Sequence, residues 1–157
     1  MNTDKKISRR EALKRMGFAV MSGAIASSGL LSLASCETKR SKRIIFYFTG
    51  TGNSLYIARQ LAGENAELLS IPQMVKRGKY EFEADEIGIV YPIYGHMPPY
   101  MVRQFIQKAK LKAEYKFAVL TYGARKCDAV EIWDRISRKA DNAFDYISTI
   151  IMEIGRA

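Results

Sequence analysis

The sequence predicts an α/β protein built as a doubly wound parallel sheet with helices on both faces. Three observations carry this. Short apolar runs rich in β-branched and aromatic residues recur along the chain, as buried parallel strands require. Between them lie stretches whose apolar residues repeat at helical spacing. After the first, third and fourth runs come loops rich in Gly, Thr, Tyr and Pro. In such sheets ligands bind beyond the carboxyl ends of the strands, where these loops lie.

The elements follow in order. Ile44-Ile45-Phe46-Tyr47-Phe48 reads as the first strand and residues 49–54 as a Gly-rich turn. Leu55, Ala58, Leu61 and Ala62 mark a helix that Gly63 closes. Residues 67–71 read as a weaker second strand stopped by Pro72, and the polar stretch 76–85 as a connection. Ile87-Gly88-Ile89-Val90-Tyr91 reads as the third strand, followed by a Gly/Pro-rich loop to Pro99. Val102, Phe105, Ile106 and Ala109 line a helix, residues 115–121 form a fourth strand, and residues 122–128 a third loop. Ala129, Ile132, Trp133 and Ile136 line a further helix, and residues 146–152 form a fifth strand. No internal repeat is present.

Composition narrows the function. The chain of 157 residues is 48% hydrophobic and 26% charged, which suits one packed domain, or one domain with an appendage. Two Cys and one His exclude a disulfide scaffold, a four-thiolate metal site and a His-based metal cluster. The formal charge is +9, but six bases and two acids lie in the first 16 residues; without them 19 bases face 14 acids. The basic character is largely that of the leader, and no nucleic-acid partner is expected from charge alone.

The leader reads as an address. A basic region (Lys5 to Arg15) precedes an uncharged stretch (Met16 to Ser35) that ends in Leu33-Ala34-Ser35-Cys36. That is the layout of a secretory signal peptide. Ser8-Arg9-Arg10-Glu11-Ala12-Leu13-Lys14 resembles a twin-arginine (Tat) signal, with Ala12 in place of the usual Phe. Leu-Ala-Ser-Cys resembles a lipobox, which would make Cys36 the lipidated first residue of a bacterial lipoprotein. An uncleaved membrane anchor is the alternative. Either reading puts the protein in the cell envelope, exported and membrane-anchored. The resulting division is a signal peptide over 1–36, a basic linker over 37–43 and a ligand-binding domain over 44–157. The twin-arginine route exports folded proteins, which favours a domain that has acquired a cofactor before export.

The first loop has the clearest chemistry. Thr49-Gly50-Thr51-Gly52-Asn53-Ser54 joins a strand to a helix N-terminus, where free N–H groups and the positive end of the helix dipole favour an anion. The hydroxyls of Thr49, Thr51 and Ser54 and the amide of Asn53 add donors. Gly50 and Gly52 let the backbone close round a phosphate. No Lys follows the second glycine, against a nucleotide P-loop, and Leu55 replaces the third glycine of a dinucleotide fingerprint. A terminal phosphomonoester held by neutral donors remains.

On these residues the chain resembles the flavodoxins, and more widely the flavodoxin half of bacterial flavodoxin–ferredoxin fusion proteins. The resemblance runs through Phe48 to Ser54, Tyr91-Pro92-Ile93-Tyr94-Gly95, the Pro98-Pro99 pair and residues 117–123, about 110 residues altogether. It implies a flavodoxin-like sheet of order 2-1-3-4-5 and FMN as the cofactor. It also implies Pro92, Ile93, Tyr94 and Gly95 as one flavin-flanking loop and Thr121, Tyr122 and Gly123 as the other. Tyr94 and Tyr122 would pack on the flavin ring. A flexible peptide at Gly95 could turn its carbonyl toward flavin N5, and His96 stands beside it. Cys127, near a helix start, is expected to be a small, partly buried residue rather than a reactive thiol.

The chain departs from the family in two ways. The ferredoxin half's two Cys clusters do not occur in it, and no segment after the fifth strand reads as the last helix, so the domain is expected to be truncated at its C-terminus. Three functions follow. The first is a membrane-tethered, FMN-binding electron-transfer protein serving an unidentified redox protein partner. The second is an FMN-dependent oxidoreductase acting on a small molecule such as a quinone. The third is a cofactor-free interaction module. With no nicotinamide site or catalytic acid/base evident in the sequence, the electron carrier is favoured.

Overall fold

The computed structural model describes residues 41–152. The twin-arginine motif, the apolar stretch and Cys36 lie outside the described residues. Among the described residues six strands and four helices follow in order: β1 (Ser41–Tyr47), α1 (Asn53–Ala62), β2 (Ala66–Ser70), α2 (Ile71–Arg77), β3 (Glu81–Pro92), α3 (Tyr100–Lys108), β4 (Lys110–Lys112), β5 (Tyr115–Tyr122), α4 (Ala129–Lys139) and β6 (Tyr146–Ile151). All strand pairs are parallel, in the order β2-β1-β3-β5-β6, with β4 added beside the start of β3. Leaving out β4, this is the expected 2-1-3-4-5 order, and the fold is a flavodoxin-like α/β sheet.

Strand alternation sets the two faces. Ile44 and Phe46 of β1, Ile87, Ile89 and Tyr91 of β3, and Ala118 and Leu120 of β5 point into the larger core. There they meet Ile71 and Met74 of α2, Val102, Phe105 and Ile106 of α3, and Trp133 of α4. Ile45, Val90 and Val119 point to the opposite face and pack with Ala58 and Ala62 of α1. Helices thus cover both faces, though unequally among the described residues.

The structure departs from the sequence expectations at three places. β1 begins at Ser41, so residues 41–43 of the expected linker belong to the sheet. Arg43 binds Glu86 of the neighbouring strand, Nε to Oε2 at 2.5 Å, and donates to the Leu61 carbonyl at 3.1 Å. Pro72 does not merely stop a strand. It stands in the first turn of α2, where its missing N–H costs nothing, and Gly78 at φ 64° closes the helix. The polar stretch 76–85 is not a plain connection either. It carries the end of α2 and the start of β3, where Phe82 and Ala84 are buried while Glu81 and Glu83 alternate outward. β4 pairs with this extension, Phe82 opposite Leu111, and Lys110 Nζ bonds Glu81 Oε1 at 2.7 Å.

Candidate functional site

The carboxyl edges of β1, β3, β5 and β6 converge on one cleft of about 510 Å³. Thr51, Asn53 and Ser54 line it from the first loop, Pro92, Ile93 and Tyr94 from the second, and Thr121, Tyr122 and Gly123 from the third. The topology therefore brings together three segments separated by dozens of residues. Thr49, Gly50, Gly52 and Gly95 stand in the same loops but do not line the cleft.

The first loop is shaped by its glycines. Gly52 takes a left-handed φ of 95° at the N-cap of α1, a conformation few side chains adopt. It offers no side chain to cap the helix, and no acid stands in the first turn. The first N–H to find a helical partner is that of Tyr56, bonded to the Gly52 carbonyl at 2.9 Å. The N–H groups of Asn53, Ser54 and Leu55 precede that bond and have no carbonyl within the helix to receive them. The Thr49 hydroxyl oxygen accepts the Gly52 N–H at 2.9 Å, so this side chain holds the turn.

Ser54 differs from its expected place as an open donor. It is 1% exposed, and its Oγ lies 2.8 Å from Thr121 Oγ1, with Thr121 also buried. One hydroxyl donates to the other, which leaves the pair a single proton for a ligand. The pair also ties α1 to the end of β5. Thr51 and Asn53 are the more accessible polar groups of the loop, Thr51 exposed and Asn53 half-buried.

The second loop folds back on itself. Tyr94 and Met97 exchange backbone hydrogen bonds at 3.0 and 3.1 Å, while Gly95 and His96 between them have φ of 53° and 71°. Positive φ at both central positions is the pattern of a type I′ turn. The turn leaves Tyr94 half-exposed at the cleft wall, with its hydroxyl above Gly50. A Cβ on Gly50 would lie 2.6 Å from that oxygen. The third loop meets the second through His96 Nδ1, 3.4 Å from Asp128 Oδ1, both side chains open to solvent. Cys127 is exposed and has φ 45°, not the partly buried residue the sequence suggests. Met152, which the sequence reading leaves out of the site, lines the cleft and donates its N–H to the Tyr122 carbonyl at 2.7 Å. Its place just past the carboxyl end of β6 is the signal that marks it. Among the described residues no cluster of His, Cys, Asp or Glu could hold a metal, and no helix is long and apolar enough to cross a membrane.

Behind the cleft, Tyr91 is fully buried against Trp133, ring centroids 4.9 Å apart. Burial pushes its phenol well above the ordinary value of 10.0.

No protein-family model and no curated protein sequence matches the chain. Solved structures do match its fold. The two-electron-reduced flavodoxin of Megasphaera elsdenii aligns with a TM-score of 0.53 at 16% identity, covering 73% of this chain and 90% of that one. A flavoprotein of Lactobacillus acidophilus NCFM, solved in complex with FMN, aligns with a TM-score of 0.50 at 12% identity, covering 69% and 93%. At these identities the likeness is one of fold. It agrees with the strand order and with the cleft's place at the carboxyl edge.

Proposed function

We propose that this protein is a membrane-tethered, FMN-binding electron-transfer protein that exchanges electrons with a redox protein partner. One observation carries the reading: the uncapped N-terminus of α1, with Thr51 and Asn53, opens into the same cleft as Tyr94 and Tyr122. The residues fit a phosphorylated flavin. The N–H groups of Asn53, Ser54 and Leu55 and the Thr51 hydroxyl would hold a terminal phosphate, with no acidic residue in that first helical turn to oppose it. Tyr94, Pro92 and Ile93 on one side, and Tyr122 and Met152 on the other, offer flat or apolar surface to the ring system. FMN, when bound, would supply reversible one- and two-electron chemistry. The protein's part is to bind it, shield it and leave an edge accessible to the partner. The flavoprotein of Lactobacillus acidophilus, in complex with FMN, supports this choice of cofactor.

The test compares FMN with riboflavin, which lacks the phosphate. Thr51→Ala with Asn53→Ala should weaken FMN about tenfold or more, because a hydrogen bond to a charged group contributes about 1.5–3 kcal/mol, and should leave riboflavin nearly unchanged. Equal losses for the two flavins in calorimetric titrations would remove the phosphate from this loop.

The leader supports the tether: a twin-arginine-like motif at Ser8 to Lys14 and the Leu-Ala-Ser-Cys ending at Cys36. Cys36→Ala should accumulate an unprocessed precursor in membranes, read by gel mobility and lipid labelling. Normal processing with soluble release would defeat the lipoprotein assignment.

A further inference from the structure

We propose that the groove between α3 and α4 binds an amphiphilic anion, a phosphate or carboxylate head on an apolar body. The head would be held by Arg103, Arg135 and Lys139. The groove, about 480 Å³, is lined by these three cations, by Gln107, and by the apolar Met97 and Ile136, with no carboxylate among its lining residues. Arg103 and Gln107 lie one turn apart on α3, and Arg135 and Lys139 one turn apart on α4, so each pair shares a helix face.

Two further facts point to a ligand. Arg103 Nε is shielded from solvent yet has no hydrogen-bond partner, while its guanidinium carbon sits 5.8 Å from the Tyr100 ring. A buried donor left unpaired is costly, and an anion accepting from that guanidinium would repay it. Arg103, Arg135 and Lys139 also make no ion pair among the described residues, whereas the adjacent Arg138 is bonded to Asp134 at 2.8 Å. Three like charges gathered round one apolar floor repel one another until an anion enters. The apolar Met97 and Ile136 would favour a head that carries an apolar body over a bare inorganic anion. None of its lining residues lines the cleft at the carboxyl edge.

Trp133, the chain's one tryptophan, stands one turn before Ile136, which lines the groove, and serves as the spectroscopic probe. The full-length protein is titrated with octyl phosphate below its micellar concentration, with inorganic phosphate and with neutral octyl glucoside. The expected result is a saturable change in Trp133 emission with octyl phosphate, a much weaker one with inorganic phosphate and none with octyl glucoside. Arg135→Glu with Lys139→Glu, both exposed positions, should keep the circular dichroism of the parent and weaken octyl phosphate about tenfold or more. Phosphatidylcholine vesicles with and without phosphatidylglycerol form the second arm. A Trp133 response that needs phosphatidylglycerol and is lost in the double variant supports the site and makes a lipid headgroup its source. A response to octyl phosphate alone supports the site with a soluble amphiphile. An unsaturable response, an equal response to octyl glucoside, or unchanged affinity in the charge-reversed protein overturns the proposal.

Discussion

Tyr91 carries a phenol into the core that no group there receives. Its ring fills the space against Trp133, but its hydroxyl is buried without a hydrogen-bond partner. A hydroxyl in that position costs about 1–3 kcal/mol of desolvation, while the ring around it contributes packing. Tyr91→Phe should therefore raise stability by about 1 kcal/mol in urea unfolding at neutral pH. The pH dependence has a fixed sign. Burial raises the folded-state pKa well above 10.0, so below that ordinary value both states keep the proton and their difference is insensitive to pH. Above it the unfolded chain releases the proton first, and stability falls until the folded-state pKa is reached. Tyr91→Phe should lessen this alkaline loss; an unchanged alkaline limb would show that other groups cause it. At this scale Thr51, Asn53, Tyr94 and Tyr122, which the sequence places at or just past strand ends, all line one cleft. The Ser54–Thr121 bond was not legible: a pairing across 67 positions leaves no local pattern.

Between elements, Asn142 acts as a clamp. It is 1% exposed. Its Oδ1 accepts the Leu111 N–H at 3.2 Å, and its Nδ2 donates to the carbonyls of Ala109 at 2.8 Å, Ala140 at 2.9 Å and Ile106 at 3.2 Å. It thereby joins the end of α3 and the start of β4 to the turn after α4. Asn142→Ala would strand several buried backbone groups and should cost about 2–4 kcal/mol, since each such group costs about 1–3 kcal/mol. Asn142→Asp should also destabilise, because a carboxylate accepts but cannot serve the three carbonyls. Urea unfolding with an unchanged m-value checks both; a loss under about 0.5 kcal/mol for Asn142→Ala would deny the clamp. Elements with strong periodicity were legible: α1, α3, α4 and the apolar parts of the five long strands. β4 was not, because Lys110-Leu111-Lys112 is too short to show a period. The early half of β3 hid behind its charges, although Glu81-Phe82-Glu83-Ala84 alternates as an edge-facing strand does.

At the scale of the folded domain, the described residues are arranged asymmetrically about the sheet. Among the described residues α2, α3 and α4 pack on one face, and α1 alone on the other. Where α1 does not reach, side chains supply cover. Phe117 lies over Gly88, where an added Cβ would meet its ring at 2.5 Å, and Tyr115 stacks beside Phe117 at 6.0 Å. Phe117 and Ile150 remain only half-buried on that face, so they gain less than the about 1.5–3 kcal/mol of a fully buried large side chain. The cleft draws on α1, β3, β5 and the end of β6, so a ligand seated there binds groups that only the folded chain assembles. FMN should accordingly stabilise the fold by mass action, by about 2.7 kcal/mol at a free concentration one hundred times Kd. For a domain near 100 residues each kcal/mol shifts the midpoint by about 4 °C or more, so a rise of about 10 °C is expected. Riboflavin at the same concentration should raise it less, because the helix N-terminus then holds no phosphate. Differential scanning calorimetry of the full-length protein decides this. A midpoint indifferent to FMN would mean that the cleft does not take the cofactor, whereas equal shifts with both flavins would keep the ring site and remove the phosphate from the loop at Thr51 and Asn53.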